Sequence, residues 1–453
     1  MSETLIALST PAGRGALAVL RISGPEAFSA VQQVWRGKRL ADQKGHSLLF
    51  GHLLQAGEIL DEVVLSIYRG PRSFTGEDVV EISLHNSTYV IQEAIQLFLE
   101  VGLRLARPGE YSERAFTNGK IDLAQTEAIA DVIEAETAQA HRTAINQMRG
   151  GFSRELQALR QELIDFAALI ELELDFGEED VEFADRTQLL DLLSRVQQSI
   201  QRLIASFKLG NVIKNGIPVV IAGRPNAGKS TLLNALLNEE KAIVSDIAGT
   251  TRDVIEDELI IDGLVFRFMD TAGLRDTTDA VEAIGVQRSY DRMQKADLIL
   301  YLFDVSDSNP TEVAAQLDQL DAFAIPYIAL ANKVDLLATP QLPASLASIP
   351  QVISFSAQNS TDIDQLKRKL VETVQLPSFQ SGDTIVTNAR HHASLQAAAH
   401  SLEQAEQGIH QQLTGDLLAL DIRQALHHLG TITGEVSNEE VLGSIFSRFC
   451  IGK

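Results

Sequence analysis

Gly223 and Gly228 enclose four residues and are followed by Lys229 and Ser230, the types and spacing of a phosphate-binding loop. Glycines let successive backbone N–H groups converge on phosphate oxygens. A lysine adds a point charge for the β- and γ-phosphates, and a serine hydroxyl is a hard-oxygen ligand for Mg²⁺. Further on, Asp270-Thr271-Ala272-Gly273 offers an aspartate for the magnesium shell, through water, and a glycine N–H for the γ-phosphate, in a loop able to sense hydrolysis. Asn332-Lys333-Val334-Asp335 selects the base. A carboxylate on Asp335 accepts from both N1–H and the 2-amino group of guanine, whereas adenine has an acceptor at N1 and no 2-amino group. Lys333 can pack over the base plane, Asn332 can tie the loops together, and Ser356-Ala357 can bring a backbone N–H to the guanine O6. Leu274 stands where many GTPases carry the glutamine that orients the attacking water. Another group must position that water, and Arg275, Asp276, Asp279 and Glu282 are the polar candidates.

These residues need a doubly wound α/β domain to hold them. Val219–Ala222 reads as a strand emptying into the glycine loop, and Leu232–Leu237 as the helix that follows. Asp262-Gly263 between Glu258–Ile261 and Val265–Met269 is a hairpin signal. Leu298–Phe303 and Ile325–Leu330 are apolar runs of the kind buried in parallel sheets, and Val352–Ala357 supplies the last strand. The domain is expected over residues 216–375.

Residues 1–118 read as a compact α+β domain. Thr4–Leu8, Ala16–Ile22, Val63–Tyr68 and Val79–Leu84 are strand-like, and Tyr89–Val101 has helical spacing that stops at Gly102. Residues 119–215 turn helical, with stripes at Ile129, Val132 and Ile133, at Leu156, Leu159, Leu163, Phe166 and Ile170, and at Leu189, Leu193, Val196, Ile200, Leu203 and Phe207. After a linker near Leu376–Asp383, helical spacing resumes at Leu395, Leu402, Leu417, Leu420 and Leu426 over 376–453. The expected fold is multidomain: an α+β N-terminal domain, a discontinuous helical domain, and an α/β nucleotide domain inserted into it.

A chain of 453 residues is too long for one ordinary core. No apolar run has the length to cross a bilayer and the first residues lack a basic signal-peptide region, so a cytoplasmic protein with no membrane association is expected. The single cysteine, Cys450, excludes an intrachain disulfide. A net charge of −23 argues against a broad basic face laid along phosphates. A nucleic-acid substrate would require a local patch or a partner protein.

The loop Gly223–Ser230 with Asn226, Gly249-Thr-Thr-Arg-Asp253, Asp270–Arg275, Val281-Glu-Ala-Ile-Gly285, Phe74-Thr-Gly-Glu77, Ala106–Phe116 and the terminal Phe449-Cys-Ile-Gly-Lys453 together resemble the MnmE (TrmE) family of bacterial tRNA modification GTPases, over essentially the whole chain. The resemblance implies a homodimeric GTP hydrolase that works with a flavin-dependent subunit to modify C5 of the wobble uridine in certain tRNAs, adding a carboxymethylaminomethyl or aminomethyl-type group. A tetrahydrofolate derivative, 5-formyl or methylene, would be the one-carbon donor, bound by the N-terminal α+β domain, which would also dimerise. It further implies GTP contacts from Asn226, Ala227, Gly228, Lys229, Ser230 and Thr231, from Ser245, Asp246, Ile247, Ala248, Gly249, Thr250 and Thr251, from Asp270, Thr271, Ala272 and Gly273, and from Asn332, Lys333, Asp335, Ser356 and Ala357.

By the same likeness Ser230 and Thr251 would hold Mg²⁺. Asn226, Ser245, Ile247 and Thr250 would ligate K⁺, and Glu282 would orient the water. A monovalent cation near the β/γ bridge neutralises developing charge as an arginine would. Arg21, Glu81, Lys120 and Lys453 match the family's folate positions, and Cys450 is either a small buried hydrophobe or a functional thiol beside them. The chain departs from the family's His-Gly-Gly by carrying His85-Asn86-Ser87, which implies an altered pocket wall.

A different class of function is a GTP-dependent interaction switch, such as a ribosome-assembly factor whose hydrolysis times release. The N-terminal domain and the Cys-x-Gly-Lys terminus argue against it, since a plain switch has no evident need for them. A folate-dependent methyltransferase acting alone is disfavoured because the chain shows no flavin fingerprint.

Overall fold

The computed structural model of the chain describes residues 3–11, 13–175, 186–238, 257–269, 293–337, 339, 341–349, 351–374, 384–437, 439–447, 449 and 452. The chain divides into two compact units, one of Met1–Glu134, Ala144–Gln201 and Ala393–Lys453, the other of Ala135–Thr143 and Arg202–His392.

The first unit begins with β1 (Leu5–Leu8), β2 (Leu17–Ser23), α1 (Ala27–Val34), β3 (Trp35–Arg36), β4 (Ser47–Gln55), β5 (Glu58–Tyr68), β6 (Val79–His85), α2 (Thr88–Glu100), β7 (Arg104–Leu105) and α3 (Glu110–Thr117). One seven-stranded sheet results, in the order β3-β4-β5-β6-β2-β1-β7, antiparallel except between β1 and β7. The two-residue period of a strand sends Ala18, Leu20 and Ile22, Val63, Leu65 and Ile67, and Val80, Ile82 and Leu84 to one face, where they are buried in a core shared with Val31, Ala94 and Phe98 of α1 and α2. Arg21, Glu81 and His85 alternate onto the other face. Strand β4 goes beyond the elements expected from the sequence. Its outward Leu48 and Phe50 are as apolar as its inward Leu49 and Leu53, which hides the alternation.

Helices α4 (Leu123–Glu134), α5 (Ala138–Met148), α6 (Gly151–Asp175) and α7 (Arg186–Asn215) follow. Two of the expected stripes are buried, Leu156, Leu163 and Ile170 on α6 and Leu189, Leu193, Val196, Ile200 and Leu203 on α7, whereas on α4 the buried face is Leu123, Ala124 and Ala128, with Ile129 and Val132 half-buried and Ile133 exposed.

In the second unit, Gly216 takes a left-handed φ of 73° and turns the chain from α7 into β8 (Ile217–Ala222). Then come α8 (Lys229–Asn238), β9 (Asp257–Ile261), β10 (Leu264–Phe268), β11 (Leu298–Asp304), α9 (Pro310–Asp321), β12 (Tyr327–Asn332), α10 (Ala344–Ala347), β13 (Val352–Ser354) and α11 (Ser360–Thr373). The sheet order is β13-β12-β11-β8-β10-β9, parallel except for the β9–β10 hairpin. Asp262 and Gly263 have φ of 50° and 81°, the positive values a two-residue hairpin turn demands. Strand β11 is apolar from Leu298 to Phe303 because it is covered on both faces: Leu298, Leu300 and Leu302 enter one core and Ile299, Tyr301 and Phe303 the other.

The incoming and outgoing segments of this unit are stitched together. The Val386 N–H donates to the buried Ser206 hydroxyl at 3.0 Å, and a Cβ on Gly210 would stand 1.9 Å from the Val386 carbonyl oxygen.

The chain ends with α12 (Ala389–His410), α13 (Gly415–Thr433) and α14 (Glu439–Phe446). The stripe expected on α13 is displaced by one residue: Leu417 and Leu420 are exposed, while Leu418, Ile422, Ala425 and Leu429 are buried. A Leu417-Leu418 doublet starts two apolar stripes on one helix, and the neighbours, here α4 and α6, decide which is covered. No described helix is long and apolar enough to cross a membrane.

Candidate nucleotide site and a second polar centre

Strand β8 delivers the chain to the glycine loop at Gly223, whose φ of 143° and whose approach to β11 exclude a side chain, since a Cβ would lie 2.1 Å from the Leu302 carbonyl oxygen. Asn226 is exposed at the loop's apex with φ 63°, a left-handed conformation that asparagine tolerates better than most residues. Gly228 (φ 100°) comes so near Asn332 that a Cβ would be 2.2 Å from its Nδ2. Lys229 and Ser230 then open α8, where unpaired N–H groups and the helix dipole favour an anion. The Lys229 ammonium donates to the Gly223 and Arg224 carbonyls at 2.7 and 2.8 Å, and its burial pushes its pKa below the usual lysine value. Thr231 is exposed in the same first turn.

Asn332, 2% exposed at the end of β12, bridges three segments. Its Nδ2 donates to the Ala227 carbonyl at 2.8 Å, and its Oδ1 accepts from the Ala357 N–H at 3.0 Å. Lys333 turns through a left-handed φ of 68° and its ammonium contacts Asp304 Oδ2 at 2.6 Å. Burial works to raise the Asp304 carboxyl, but hydrogen bonds from Lys333 and Ser306 outweigh it, and the net shift is below the usual carboxylate value. Asp335 accepts from the Ser356 hydroxyl at 2.6 Å, while the Ser356 N–H donates to Asp362 at 2.8 Å. The carboxyl ends of β8, β12 and β13 thus bring together Asn226–Thr231, Asn332, Lys333, Asp335, Ser356 and Ala357, in the crevice where open parallel sheets bind ligands. Ser245, Asp246, Ile247, Ala248, Gly249, Thr250, Thr251, Asp270, Thr271, Ala272, Gly273, Leu274 and Glu282 lie outside the described residues. A groove of about 1470 Å³ lined by Phe207, Lys208, Asp297, Tyr327 and His392 sits at the amino ends of the same strands, away from this crevice.

The second centre is in the first unit. The register of β2 and β6 sets Arg21 directly opposite Glu81, and the guanidinium contacts one carboxylate oxygen through both Nε and a terminal nitrogen at 2.8 Å. Arg21 lies 5.8 and 5.7 Å from the ring centres of Phe74 and Tyr111. It also donates to the Gly452 carbonyl at 3.3 Å, and the Ser9 hydroxyl donates to that same oxygen at 3.2 Å, so Gly452 is anchored at the Arg21–Glu81 pair. Cys450 and Lys453, on either side of this anchor, lie outside the described residues. Lys120 donates to the Pro71 carbonyl at 2.8 Å, on the segment that carries Phe74.

The residues that brace this centre lie in the family-like stretches Phe74–Glu77 and Ala106–Phe116, to which the sequence reading gave no individual roles. Tyr111 donates from its hydroxyl to the Arg21 carbonyl at 2.5 Å, and Arg114 grips Glu77 at 3.1 and 2.9 Å while Ser23 donates to the same carboxylate. Asn86 donates to the Gly13 carbonyl at 2.9 Å and covers Gly15, so the departure at His85-Asn86-Ser87 pins the neighbouring glycine loop.

Family models place residues 4–120 with the GTP-binding protein TrmE N-terminus and residues 123–450 with the MnmE helical domain. The tRNA modification GTPase MnmE of Cytophaga hutchinsonii is 52% identical over 452 residues, covering 100% of this chain and 98% of that protein. The protein of the same description from Christiangramia forsetii is 48% identical, with both chains covered in full. Among solved structures, a crystal structure of a single-residue variant of Aquifex aeolicus Era bound to GDP·AlF4⁻ matches 41% of this chain and 66% of that chain at 24% identity and a TM-score of 0.27.

Proposed function

The chain belongs to the MnmE family of tRNA modification GTPases, and from that premise we propose a potassium-activated GTP hydrolase that, with a flavin-dependent partner subunit, modifies C5 of the wobble uridine of certain tRNAs. Residues 1–118 bind a reduced folate and dimerise, 119–215 with 376–453 make the helical domain, and 216–375 make the G domain. The observation that carries the nucleotide reading is the Asn332 bridge. By joining the Ala227 carbonyl to the Ala357 N–H, it makes the phosphate loop and the base-reading loops one piece, so Asp335 is held in register with Lys229.

The donors present fit the groups assigned to them. Ser230 at the head of α8 supplies a hydroxyl for Mg²⁺, completed by Thr251. The exposed Asn226 amide, raised at the apex by its left-handed backbone, supplies a hard oxygen for K⁺ beside Ser245, Ile247 and Thr250. Held by these residues, a cation would supply positive charge against the negative charge of the transition state, and Glu282 would orient the water that Leu274 cannot. The Arg21–Glu81 pair supports the folate reading: the carboxylate suits the adjacent donors of a pterin edge, and Lys120 and Lys453 suit folate carboxylates. The hydrogen bond from Arg21 to the Gly452 carbonyl supports this reading over a plain switch, because it ties a residue of the Cys-x-Gly-Lys motif to the Arg21–Glu81 pair.

GTP turnover in K⁺ and in Na⁺ at matched ionic strength tests the cation mechanism. A marked fall in Na⁺ is expected, and equal rates would sink it. Deletion of the gene should remove C5-modified wobble uridines from cellular tRNA.

A further inference from the structure

In a chain with a net charge of −23, the stretch Arg36–Lys44 carries four cations, Arg36, Lys38, Arg39 and Lys44, against one acid, Asp42. It runs from β3 towards β4, and all four cationic residues are exposed. The end of β5 brings two more arginines to it. Arg69, directly after β5, donates from Nε to the Gln43 carbonyl at 2.9 Å and from a terminal nitrogen to the Leu40 and Ala41 carbonyls at 3.2 and 2.9 Å. The Arg72 N–H donates to the Arg69 carbonyl at 2.9 Å, which sets the exposed Arg72 close by. Among the described residues, no carboxylate pairs with Arg36, Lys38, Arg39, Lys44, Arg69 or Arg72. In the same α+β domain Arg21, Arg104, Arg107 and Arg114 each hold a glutamate.

The backbone beneath these cations is pinned from inside. Leu40 is fully buried and its N–H donates to Gln32 Oε1 at 2.8 Å. The Trp35 indole N–H donates to the Lys38 carbonyl at 2.9 Å, and the His46 N–H to the Ile67 carbonyl at 2.6 Å. A fixed backbone with unpaired cations holds positive charge in one place and needs little ordering when an anion binds. Tyr68, the last residue of β5, donates to Glu81 at 3.5 Å, so the basic surface borders the Arg21–Glu81 centre.

We propose that Arg36, Lys38, Arg39, Lys44 and Arg72, on the loop that Arg69 holds, grip the sugar–phosphate backbone of the tRNA. This rests on the tRNA reading above and supplies the local patch that a nucleic-acid substrate of so acidic a chain requires. No aromatic residue stands within Arg36–Lys44 to stack on a base, so the contact is with phosphates and carries no sequence preference.

The test is equilibrium binding of the full-length protein to two tRNA transcripts, one with a wobble uridine and one without, over a series of salt concentrations. The variant combining Arg36→Gln, Lys38→Gln and Arg39→Gln should bind both transcripts about tenfold or more weakly near about 0.1 M salt, and lower the slope of log K against log salt by about 2 to 3. Lys44→Gln with Arg72→Gln should lower the slope by about 1 to 2. Intrinsic GTP turnover and the thermal midpoint read by Trp35 fluorescence should be unchanged in both variants, reporting an intact fold. Variants that keep wild-type affinity and slope overturn this surface and leave the tRNA reading standing, and a loss confined to one transcript overturns the phosphate contact. A wild type that binds neither transcript, whether or not it holds phosphatidylglycerol vesicles, overturns both this surface and direct tRNA binding by the chain.

Discussion

Asn332 joins the two halves of the nucleotide crevice, and its removal has two separable consequences. Asn332→Ala leaves the buried Ala227 carbonyl and Ala357 N–H without their partner. The cost should be about 3 kcal/mol of stability for the domain, with a parallel loss of GTP affinity, measured by urea unfolding and by nucleotide titration. Asp335→Asn changes an acceptor into a donor. It should weaken GTP and gain xanthosine triphosphate, whose C2 carbonyl accepts where guanine donates. Retained preference for GTP in a competition titration would remove Asp335 from base selection. Glu282→Ala should leave nucleotide binding nearly intact while slowing turnover, and full activity would take Glu282 out of its role.

At the scale of elements, α3 is anchored by a carboxylate with a measurable pH signature. The Glu110 side chain is 4% exposed, and burial alone would raise its pKa. Hydrogen bonds from Arg104 and the Arg107 N–H, together with their charges, prevail and bring it down to about 2, against 4.5 unperturbed. The folded value being the lower one, the stabilisation is present in full above about pH 4.5 and is lost as pH falls through about 2. It amounts to about 3 kcal/mol. Trp35, the one tryptophan of the sequence and buried in the same sheet's core, reports unfolding of this region. By its fluorescence, Glu110→Gln should be destabilised by about that amount at pH 7 and by much less near pH 2. A variant as stable as the wild type at pH 7 would show the ion pairs to be idle. The stitch between Ser206, Gly210 and Val386 makes a second element-scale demand. Gly210→Ala must push apart two backbones, and a cost above about 2 kcal/mol is expected by thermal unfolding.

For the whole molecule, an inserted nucleotide domain and a separate polar centre imply separable defects. Arg21→Ala should abolish wobble-uridine modification and leave intrinsic GTP turnover unchanged, whereas Lys229→Ala should abolish both; nucleoside analysis of tRNA beside phosphate release distinguishes them. The sequence by itself pointed to the nucleotide chemistry, because a phosphate loop and a base-reading tetrapeptide are contiguous stretches whose backbone and side chains act locally; the unusual hydrolysis expected from Leu274 falls outside the described residues. It also placed β1, β2, β5, β6, α2, α6 and α7, where one face is apolar and the other polar. It did not reveal β4 or the buried stripe of α13, where both faces are apolar and the choice falls to neighbouring elements. That Asn332 ties the loops was expected; tertiary structure alone named its partners, Ala227 at 105 residues' separation and Ala357, and decided that Gly452 returns to Arg21 and that Asp61 orients His85. Those contacts depend on strand register and chain return, which bring distant residues within hydrogen-bonding reach and leave no periodic trace in the sequence.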